Sequence, residues 1–270
     1  MDLAKQAEAV ILPQLKGFKP EWGMILGSGL SGLIDRIDAV VRVSYRDCPG
    51  FFQSTVAGHK GEFVFGYLEG VAICCMNGRV HLYEGASREQ LVAPIRTMKR
   101  LGCKQMLLTN ATGSLNKDVL PGSLVLIQDQ INLSGINVLV GENNPEYGPR
   151  FQGMEHAYDP ELRALFHKVA AELKIEIRDG VYVGVMGPSY ESPAEIRLFG
   201  SMGGDIVGMS TVNEVIAARH CGLKVVGLSL VSNLGAGLSA NLVNHEEVVT
   251  VANAAGSKMA RLIERFLTSL

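Results

Sequence analysis

Short apolar runs alternate with amphipathic segments along most of this chain, and this alternation restricts the fold more than any other feature of the sequence. The apolar runs have strand length, whereas the amphipathic segments have helical spacing. The predicted strands cover residues 22–26, 39–45, 62–68, 71–76, 105–109, 124–129, 181–185, 206–208 and 225–231. The predicted helices cover the N-terminal segment, 90–101, 161–173, a stretch from Pro193, 213–221 and 244–266. Mostly buried strands separated by helices predict an α/β fold with helices on both faces of a sheet.

The composition favours one large domain. With 270 residues, of which 47% are hydrophobic and 19% charged, the chain is long enough for one large α/β domain or for two small ones. No Ser/Gly/Pro-rich linker, charge block or internal repeat divides it. We therefore expect residues 1–270 to form a single domain.

Charge, apolar patterning and cysteine content restrict the kind of partner and the cellular compartment that we expect. A net charge of −2 is unlike a surface built for nucleic acid or anionic lipid, so we expect a small substrate and neither a nucleic-acid nor a membrane partner. The N-terminal segment is an amphipathic helix rather than a secretory leader, and no apolar run has transmembrane length. The five cysteines are odd in number and lack metal-ligand spacing. These features predict a cytoplasmic protein with reduced cysteines and without a metal site.

The segment GRVHLYEG places Arg79, His81 and Tyr83 at every second position after the apolar run 71–76. If the strand continues through this segment, these three side chains share one face while Val80 and Leu82 point into packing. The alternative is a frayed strand end that carries ordinary surface polar residues.

Four predicted strands end in polar residues beside glycine or other small residues: Ser28, Asn110, Ser210 and Asn233. Open α/β sheets bind ligands outside the carboxyl ends of their strands. The Gly-rich turn around Ser28 could direct backbone N–H groups and a hydroxyl at an anion. We therefore expect a ligand site at this edge.

The same turn, GSGLSG, also fits the dinucleotide-binding pattern GxGxxG, with Asp47 twenty residues further on. Against that interpretation, the intervening helix would have to fit in residues 30–38, and no second mononucleotide-binding half follows. Spacing alone leaves open a nicotinamide site, a phosphate site and a turn used only for packing.

Several long motifs together resemble the trimeric, low-molecular-mass purine nucleoside phosphorylases, and they cover nearly the whole chain in order. They are GMILGSGL (23–30), STVAGHKGEFVFG (54–66), GRVHLYEG (78–85), LLTNATGSLN (107–116), GPSYESPAEIR (187–197), DIVGMSTVNEVIAARHCGLKV (205–225), SNLGAGLS (232–239) and NHEEV (244–248).

The resemblance implies a single α/β/α domain with a central mixed β-sheet, assembled as a homotrimer. It implies a pentosyltransferase of purine salvage, which uses inorganic phosphate to cleave the N-glycosidic bond of a purine ribonucleoside or deoxyribonucleoside. The products are the free base and pentose 1-phosphate. No metal or organic cofactor is implied, because inorganic phosphate is the co-substrate.

The resemblance also assigns site residues by position. Around phosphate it places Ser28, His59, Arg79, His81, the Ala111 N–H and Ser210. Around ribose it places Tyr83, Met209, His245 and, from a neighbouring subunit, Phe151. Around the purine it places Tyr190, Glu191, Asn233, Gly113 and Val207, while Glu84 orients the cluster. Asn233, Glu191 and His81 are the expected catalytic residues.

Each role has a physical rationale. The Arg79 fork suits two phosphate oxygens, and Asn233 can donate to N7 or O6 of a departing purine. Glu191 would accept N1–H of a 6-oxopurine such as inosine or guanosine, although an acid before a helix also suits the helix dipole without any ligand. His59 could be an ordinary loop residue, and a neutral His245 at a helix start would bond the ribose 5′-hydroxyl.

Four positions depart from the family pattern. Thr112 and Ser114 stand where many members have Ala and Gly, Asn213 where Pro is usual, and Gln130 where His is usual. The first two could change the fit around the base, and the other two look structural. Xanthosine-preferring and methylthioadenosine phosphorylases stay open as alternatives, as do a non-catalytic nucleoside-binding module and, on GSGLSG, an NAD-dependent oxidoreductase.

Residues 134–156 form a long Gly/Asn/Pro-rich segment that contains Phe151. An aromatic side chain in such a loop is either tucked beneath it or offered to a partner. The resemblance favours the partner.

Overall fold

A computed structural model of the protein describes residues 2–27, 31–56, 59–239 and 245–270, without the side chains of residues 31, 245–249 and 252–254. The predicted phosphate residue Ser28 and the predicted ribose side chain of His245 therefore lie outside the described residues.

Strands and helices alternate as the sequence predicts. The strands are β1 (Trp22–Leu26), β2 (Asp38–Ser44), β3 (Glu62–Leu68), β4 (Val71–Asn77), β5 (Gln105–Ser114), β6 (Leu124–Leu133), β7 (Ile177–Val185), β8 (Ile206–Gly208) and β9 (Lys224–Leu234). The helices are α1 (Leu3–Leu15), α2 (Ser31–Ile34), α3 (Arg88–Arg100), α4 (Pro160–Glu172), α5 (Pro193–Ser201), α6 (Val212–His220) and α7 (His245–Leu267). Ser192 caps α5 through the expected capping box with Glu195.

The nine described strands join one mixed sheet in the order β2-β3-β4-β1-β5-β8-β7-β6-β9. Strand β1 pairs in parallel with β4 and β5, whereas the β3/β4 hairpin and the β6/β9 pair are antiparallel. Strand β9 also pairs in parallel with β5. The strands β5, β8, β7, β6 and β9 therefore close into a ring, which brings β5, β8 and β9 together.

Helices cover both faces of the sheet and bury two apolar clusters. On one face Trp22 and Phe166 pack with Phe266 of α7, whose ring stacks on that of Phe166 with centroids 3.9 Å apart. On the other face α1, α3 and α6 contribute Ile11, Ile95 and Val215. This arrangement confirms the predicted α/β/α fold with a central mixed sheet.

Two expectations about strand ends were wrong. Asn110 and Asn233 lie inside strands, because β5 continues to Ser114 and β9 to Leu234. Strand β4 does not continue through the Arg79 segment, since it ends at Asn77 and Gly78 turns the chain with a φ of +93°. Gly78 lies against His59, and a Cβ there would come within 2.6 Å of the His59 Cα.

None of the described helices combines the length and apolar character that a bilayer crossing needs. All five cysteines are free and buried.

Candidate active site

One pocket opens where β5, β8 and β9 meet the turn after β4. Most of the predicted site residues that the structure describes line this pocket. Residues that are far apart in the sequence therefore come together at one place in the fold. These residues are His59, Arg79, His81, Tyr83, Ala111, Gly113, Tyr190, Glu191, Val207, Met209, Ser210 and Asn233. Gly27 at the end of β1 also lines the pocket.

Arg79 is the most deeply placed charge of the pocket, with 2% of its side chain exposed. Its Nη1 donates to Glu214 Oε1 at 3.1 Å and to Thr211 Oγ1 at 3.4 Å, and its Nη2 donates to the Thr109 carbonyl. A guanidinium has five N–H donors, so these three bonds leave two of them, Nε–H and one N–H of Nη2, for a ligand. Because Glu214 balances its charge, Arg79 can stay buried before any anion arrives.

Next to Arg79, the chain makes a strained turn after β8. Thr211 has a φ of +74° and a ψ of −53°, and the Val212 N–H donates to the Ser210 carbonyl at 2.8 Å. This is the rare γ-turn, adopted here by a β-branched residue for which a positive φ is unusual. Such backbone strain costs about 1–3 kcal/mol and persists only where the surroundings enforce it. The turn directs Ser210 to the pocket.

His81 is clamped by Glu84. The Glu84 carboxylate accepts hydrogen bonds from the His81 N–H at 2.7 Å and from the Thr55 N–H at 2.6 Å, and it lies 3.3 Å from His81 Nδ1. Burial alone would raise the pKa of Glu84, but these hydrogen bonds outweigh it and lower the pKa. The His81 ring stacks on Tyr83 with centroids 4.9 Å apart, so one short 3₁₀ turn orients both rings.

His59 is neutral in this environment. Burial lowers its pKa to about 4, assisted by the nearby His81 and Arg79. Its Nδ1 accepts the Arg79 backbone N–H at 2.7 Å, so the ring hydrogen is on Nε2. His59 is therefore a neutral N–H donor rather than the loose loop residue that its sequence context allows.

Asn233 owes its direction to a β-bulge. The β5/β9 register shifts between Thr112 and Gly113, and both Ser232 and Asn233 then line the pocket. Asn233 Oδ1 accepts the Ser232 hydroxyl at 2.8 Å, and Nδ2 donates to the Leu234 carbonyl at 3.0 Å. An amide has two N–H donors, so the second can serve a ligand.

Glu191 and Tyr190 line the other end of the pocket. Glu191 is half-buried, and burial raises the pKa of its carboxyl, with a smaller contribution from Glu195. Burial likewise raises the pKa of the Tyr190 phenol.

Phe151 does not line this pocket, and it is 89% exposed, so the alternative in which its ring is tucked beneath its own loop is wrong. Its ring lies 5.9 Å from the Arg150 guanidinium carbon.

The four unusual positions have different surroundings. Thr112 lines the pocket, whereas the Ser114 hydroxyl is directed to the Asn116 carbonyl at 2.6 Å. Gln130 accepts the Tyr158 hydroxyl at 2.9 Å, and Asn213 Oδ1 is buried without a partner among the described residues.

The sequence analysis missed Ser232, which lines the pocket, and the residues that hydrogen-bond to site residues from behind: Glu214, Thr211, Tyr182, Ser54 and Thr55. Only Glu214 carried a signal, as an acid within the largely apolar stretch of α6. Within the described part of the chain, no group of three His, Cys, Asp or Glu residues could hold a metal ion.

Comparisons with known proteins agree with this geometry. The family model of the phosphorylase superfamily matches residues 23–268. The chain is 45% identical over 263 residues to purine nucleoside phosphorylase 1 of Bacillus subtilis, with 97% of each chain covered. It superposes on the purine nucleoside phosphorylase of Schistosoma mansoni in complex with inosine with a TM-score of 0.94, at 39% identity, covering 100% of this chain and 97% of that one. A complex of the Schistosoma mansoni protein with adenosine matches with a TM-score of 0.93 at 39% identity, covering 99% and 96%.

Proposed function

The chain belongs to the purine nucleoside phosphorylases of the phosphorylase superfamily, and from this premise we propose that it cleaves 6-oxopurine nucleosides with inorganic phosphate. The products are the free base and ribose or deoxyribose 1-phosphate. The observation that carries the proposal is the convergence in one pocket of a buried Arg79 with the amide of Asn233 and the carboxyl of Glu191.

The phosphate subsite comprises Arg79, His59, His81, the Ala111 N–H and Ser210. The two donors of Arg79 that the described bonds leave, Nε–H and one N–H of Nη2, can donate to phosphate oxygens. The neutral His59 adds an Nε2–H donor, and Ser210 adds a hydroxyl on the strained turn. We also assign Ser28 to this subsite from the sequence.

The nucleoside occupies the part of the pocket next to the phosphate subsite. Tyr83 and Met209 contact the ribose, with His245 assigned from the sequence, and Tyr190, Gly113 and Val207 surround the base. Space around the base depends on Gly113, because a Cβ at this position would come within 3.3 Å of Asn233 Nδ2.

Glycosidic cleavage requires stabilisation of the departing purine, which accumulates negative charge. The free Nδ2 hydrogen of Asn233 donates to N7 or O6 more strongly as that charge develops, and this lowers the barrier. Glu191 accepts N1–H and anchors the opposite edge of the ring. Phosphate attacks C1′ from the face opposite the base, so the configuration at C1′ inverts. Neither a metal nor an organic cofactor is needed for this chemistry.

Three further properties belong to the proposal. Residues 1–270 form one domain, supported by the single sheet that all the described strands share. The protein works in the cytoplasm, supported by five free, buried cysteines that suit a reducing compartment. It acts as a homotrimer without a nucleic-acid or membrane partner.

Release of hypoxanthine from inosine tests the reaction. We expect release only when phosphate is present, in amounts equal to the ribose 1-phosphate formed. Release without phosphate would indicate a hydrolase, and binding without turnover would indicate a nucleoside-binding module. Tight NAD binding would instead support the oxidoreductase. Each of these three results would refute the proposal.

We further propose that Phe151 completes the ribose subsite of a neighbouring subunit. The exposed ring supports this role, because a fully solvated phenylalanine in a structured loop gains stability when a partner covers it. Phe151→Gly should raise KM for inosine about 10-fold, the effect of losing roughly 1–2 kcal/mol of aromatic contact. The KM for phosphate should stay close to that of the unmodified protein, and light scattering should still give a trimer.

Mixed trimers make the test sharper. Chains with Phe151→Gly retain Asn233, and chains with Asn233→Ala retain Phe151. In a mixed trimer, some subunit interfaces therefore form a site that contains both an intact Asn233 and an intact Phe151. Activity at low inosine should exceed the sum of the two parents. Leu120→Gly is the control, since Leu120 is also an exposed apolar loop residue, 58% exposed, but has no assigned role in the ribose subsite. No recovery in verified mixed trimers, or a fully active monomer, would exclude a shared site.

A further inference from the structure

The hydroxyl of Tyr182 contacts the strained turn at Ser210–Val212 from within the protein interior. Tyr182 lies on β7 and is completely buried, with 0% of its surface exposed. Its phenol oxygen accepts the Ser210 backbone N–H at 3.2 Å. Gly208 permits this approach, because a Cβ at that position would overlap the phenol oxygen.

The turn is held at two points. On the pocket side, Thr211 Oγ1 accepts the Asn110 side-chain amide at 2.7 Å and is 3.4 Å from Arg79 Nη1. On the other side, Tyr182 holds the preceding residue, Ser210. A strained γ-turn keeps its shape only while such contacts persist, so the orientation of Ser210 depends on both.

The protonation state of Tyr182 suits this contact. Burial raises the pKa of the phenol above its usual value, although hydrogen bonds from Ser210 act in the opposite direction. The phenol is therefore neutral at physiological pH, and it can accept from the Ser210 N–H while keeping a hydrogen of its own.

We infer that Tyr182 is a positioning residue of the phosphate subsite, which it serves by holding Ser210 and the γ-turn in the orientation that receives phosphate. The inference rests on the phosphate subsite of the proposed function. The phenol itself touches no substrate and acts through Ser210 alone.

Tyr182→Phe tests the inference because it removes one oxygen and leaves the ring in place. We expect KM for phosphate to rise about 10-fold, the order expected when one hydrogen bond to a binding residue is lost. The KM for inosine, measured at saturating phosphate, should change less than about 3-fold. KM does not depend on the folded fraction, so partial unfolding of the variant would lower the apparent kcat without imitating this result.

Tyr158→Phe is the matched control. Tyr158 is also buried, at 2% exposure, and its hydroxyl makes one side-chain hydrogen bond, to Gln130 at 2.9 Å, outside the pocket lining. We expect a similar loss of thermal stability in both variants but an altered phosphate KM only in Tyr182→Phe. Equal loss of stability with an unchanged phosphate KM in both would make Tyr182 merely structural and overturn the inference.

Ser210→Ala separates this inference from the subsite on which it rests. If Ser210 binds phosphate, the single variant raises the phosphate KM, and adding Tyr182→Phe should raise it little further. Fully additive effects would mean that Tyr182 does not act through Ser210. A Ser210→Ala variant with unchanged phosphate KM would instead refute the assignment of Ser210, and the inference with it.

Discussion

Inosine should be cleaved about 10⁴-fold more efficiently than adenosine, as kcat/KM, at pH values above the pKa of Glu191, because a mismatched hydrogen bond in a buried site costs about this much. In the proposed site the ionised Glu191 carboxylate would accept the N1–H of hypoxanthine, whereas N1 of adenine is itself an acceptor. Two acceptors would then face each other in a half-buried site. The Schistosoma mansoni relative has been solved in complex with adenosine, so binding alone does not test the preference, and the prediction concerns catalytic efficiency.

Glu191→Gln should reduce this discrimination by about 100-fold, since an amide offers both a donor and an acceptor to the ring. The expected change combines slower inosine cleavage with faster adenosine cleavage. Initial rates on both nucleosides at saturating phosphate give the ratio. Comparable efficiency of the unmodified enzyme on adenosine and inosine would overturn the role of Glu191.

The raised pKa of Glu191 adds a pH dependence with a definite sign. The carboxyl is ionised above its pKa and protonated below it, so kcat/KM for inosine should fall as the pH drops through that value. A protonated carboxyl can donate to N1 of adenine, so the relative efficiency on adenosine should rise over the same range. Glu191→Gln should remove this inflection.

Glu195→Gln is the control for the pH profile. Glu195 caps α5 and also raises the pKa of Glu191 through its charge, while a glutamine preserves the capping box. This variant should shift the inflection to lower pH and leave the inosine preference above it intact. An unshifted inflection would mean that another group titrates.

Asn233→Ala should lower kcat on inosine about 10²–10³-fold, the usual effect of removing one donor that stabilises a developing anion. The KM for inosine should change less, because the lost bond strengthens mainly in the transition state. Hypoxanthine release at saturating inosine and phosphate measures kcat. Asn116→Ala is the control, since this asparagine is exposed and outside the pocket lining, and the one described contact of its side chain is with the Asp118 N–H, which Oδ1 accepts at 2.9 Å.

A 7-methylated purine nucleoside gives a second test of Asn233. Alkylation makes the departing base neutral and removes the N7 acceptor, so a donor from the enzyme contributes little. Asn233→Ala should therefore retain most of its activity on 7-methylinosine. Equal losses on inosine and 7-methylinosine, or a kcat within about 3-fold of the unmodified enzyme on inosine, would argue against leaving-group stabilisation.

The layered architecture could be predicted from the sequence. Apolar periodicity depends on nearby residues, so it located most strands and helices, and Ser192, Pro193 and Glu195 marked the start of α5 because capping is also local. The long motifs pointed to most of the residues that line the pocket. The sequence also suggested the chemistry of the site. Arg79, Glu191 and Asn233 are polar or charged residues in apolar surroundings, where such side chains commonly bind a ligand.

The orientation of those side chains could not be predicted from the sequence, because it depends on tertiary contacts. The bulge that brings Ser232 and Asn233 to the pocket arises from pairing between β5 and β9, strands that are separated by more than a hundred residues. Three other features also depend on contacts between different parts of the chain: the turn at Gly78, the Arg79–Glu214 pair and the hydrogen bond from the Ser210 N–H to the Tyr182 hydroxyl. Local sequence periodicity depends on neighbouring residues, so it cannot predict contacts between residues that are distant in the chain.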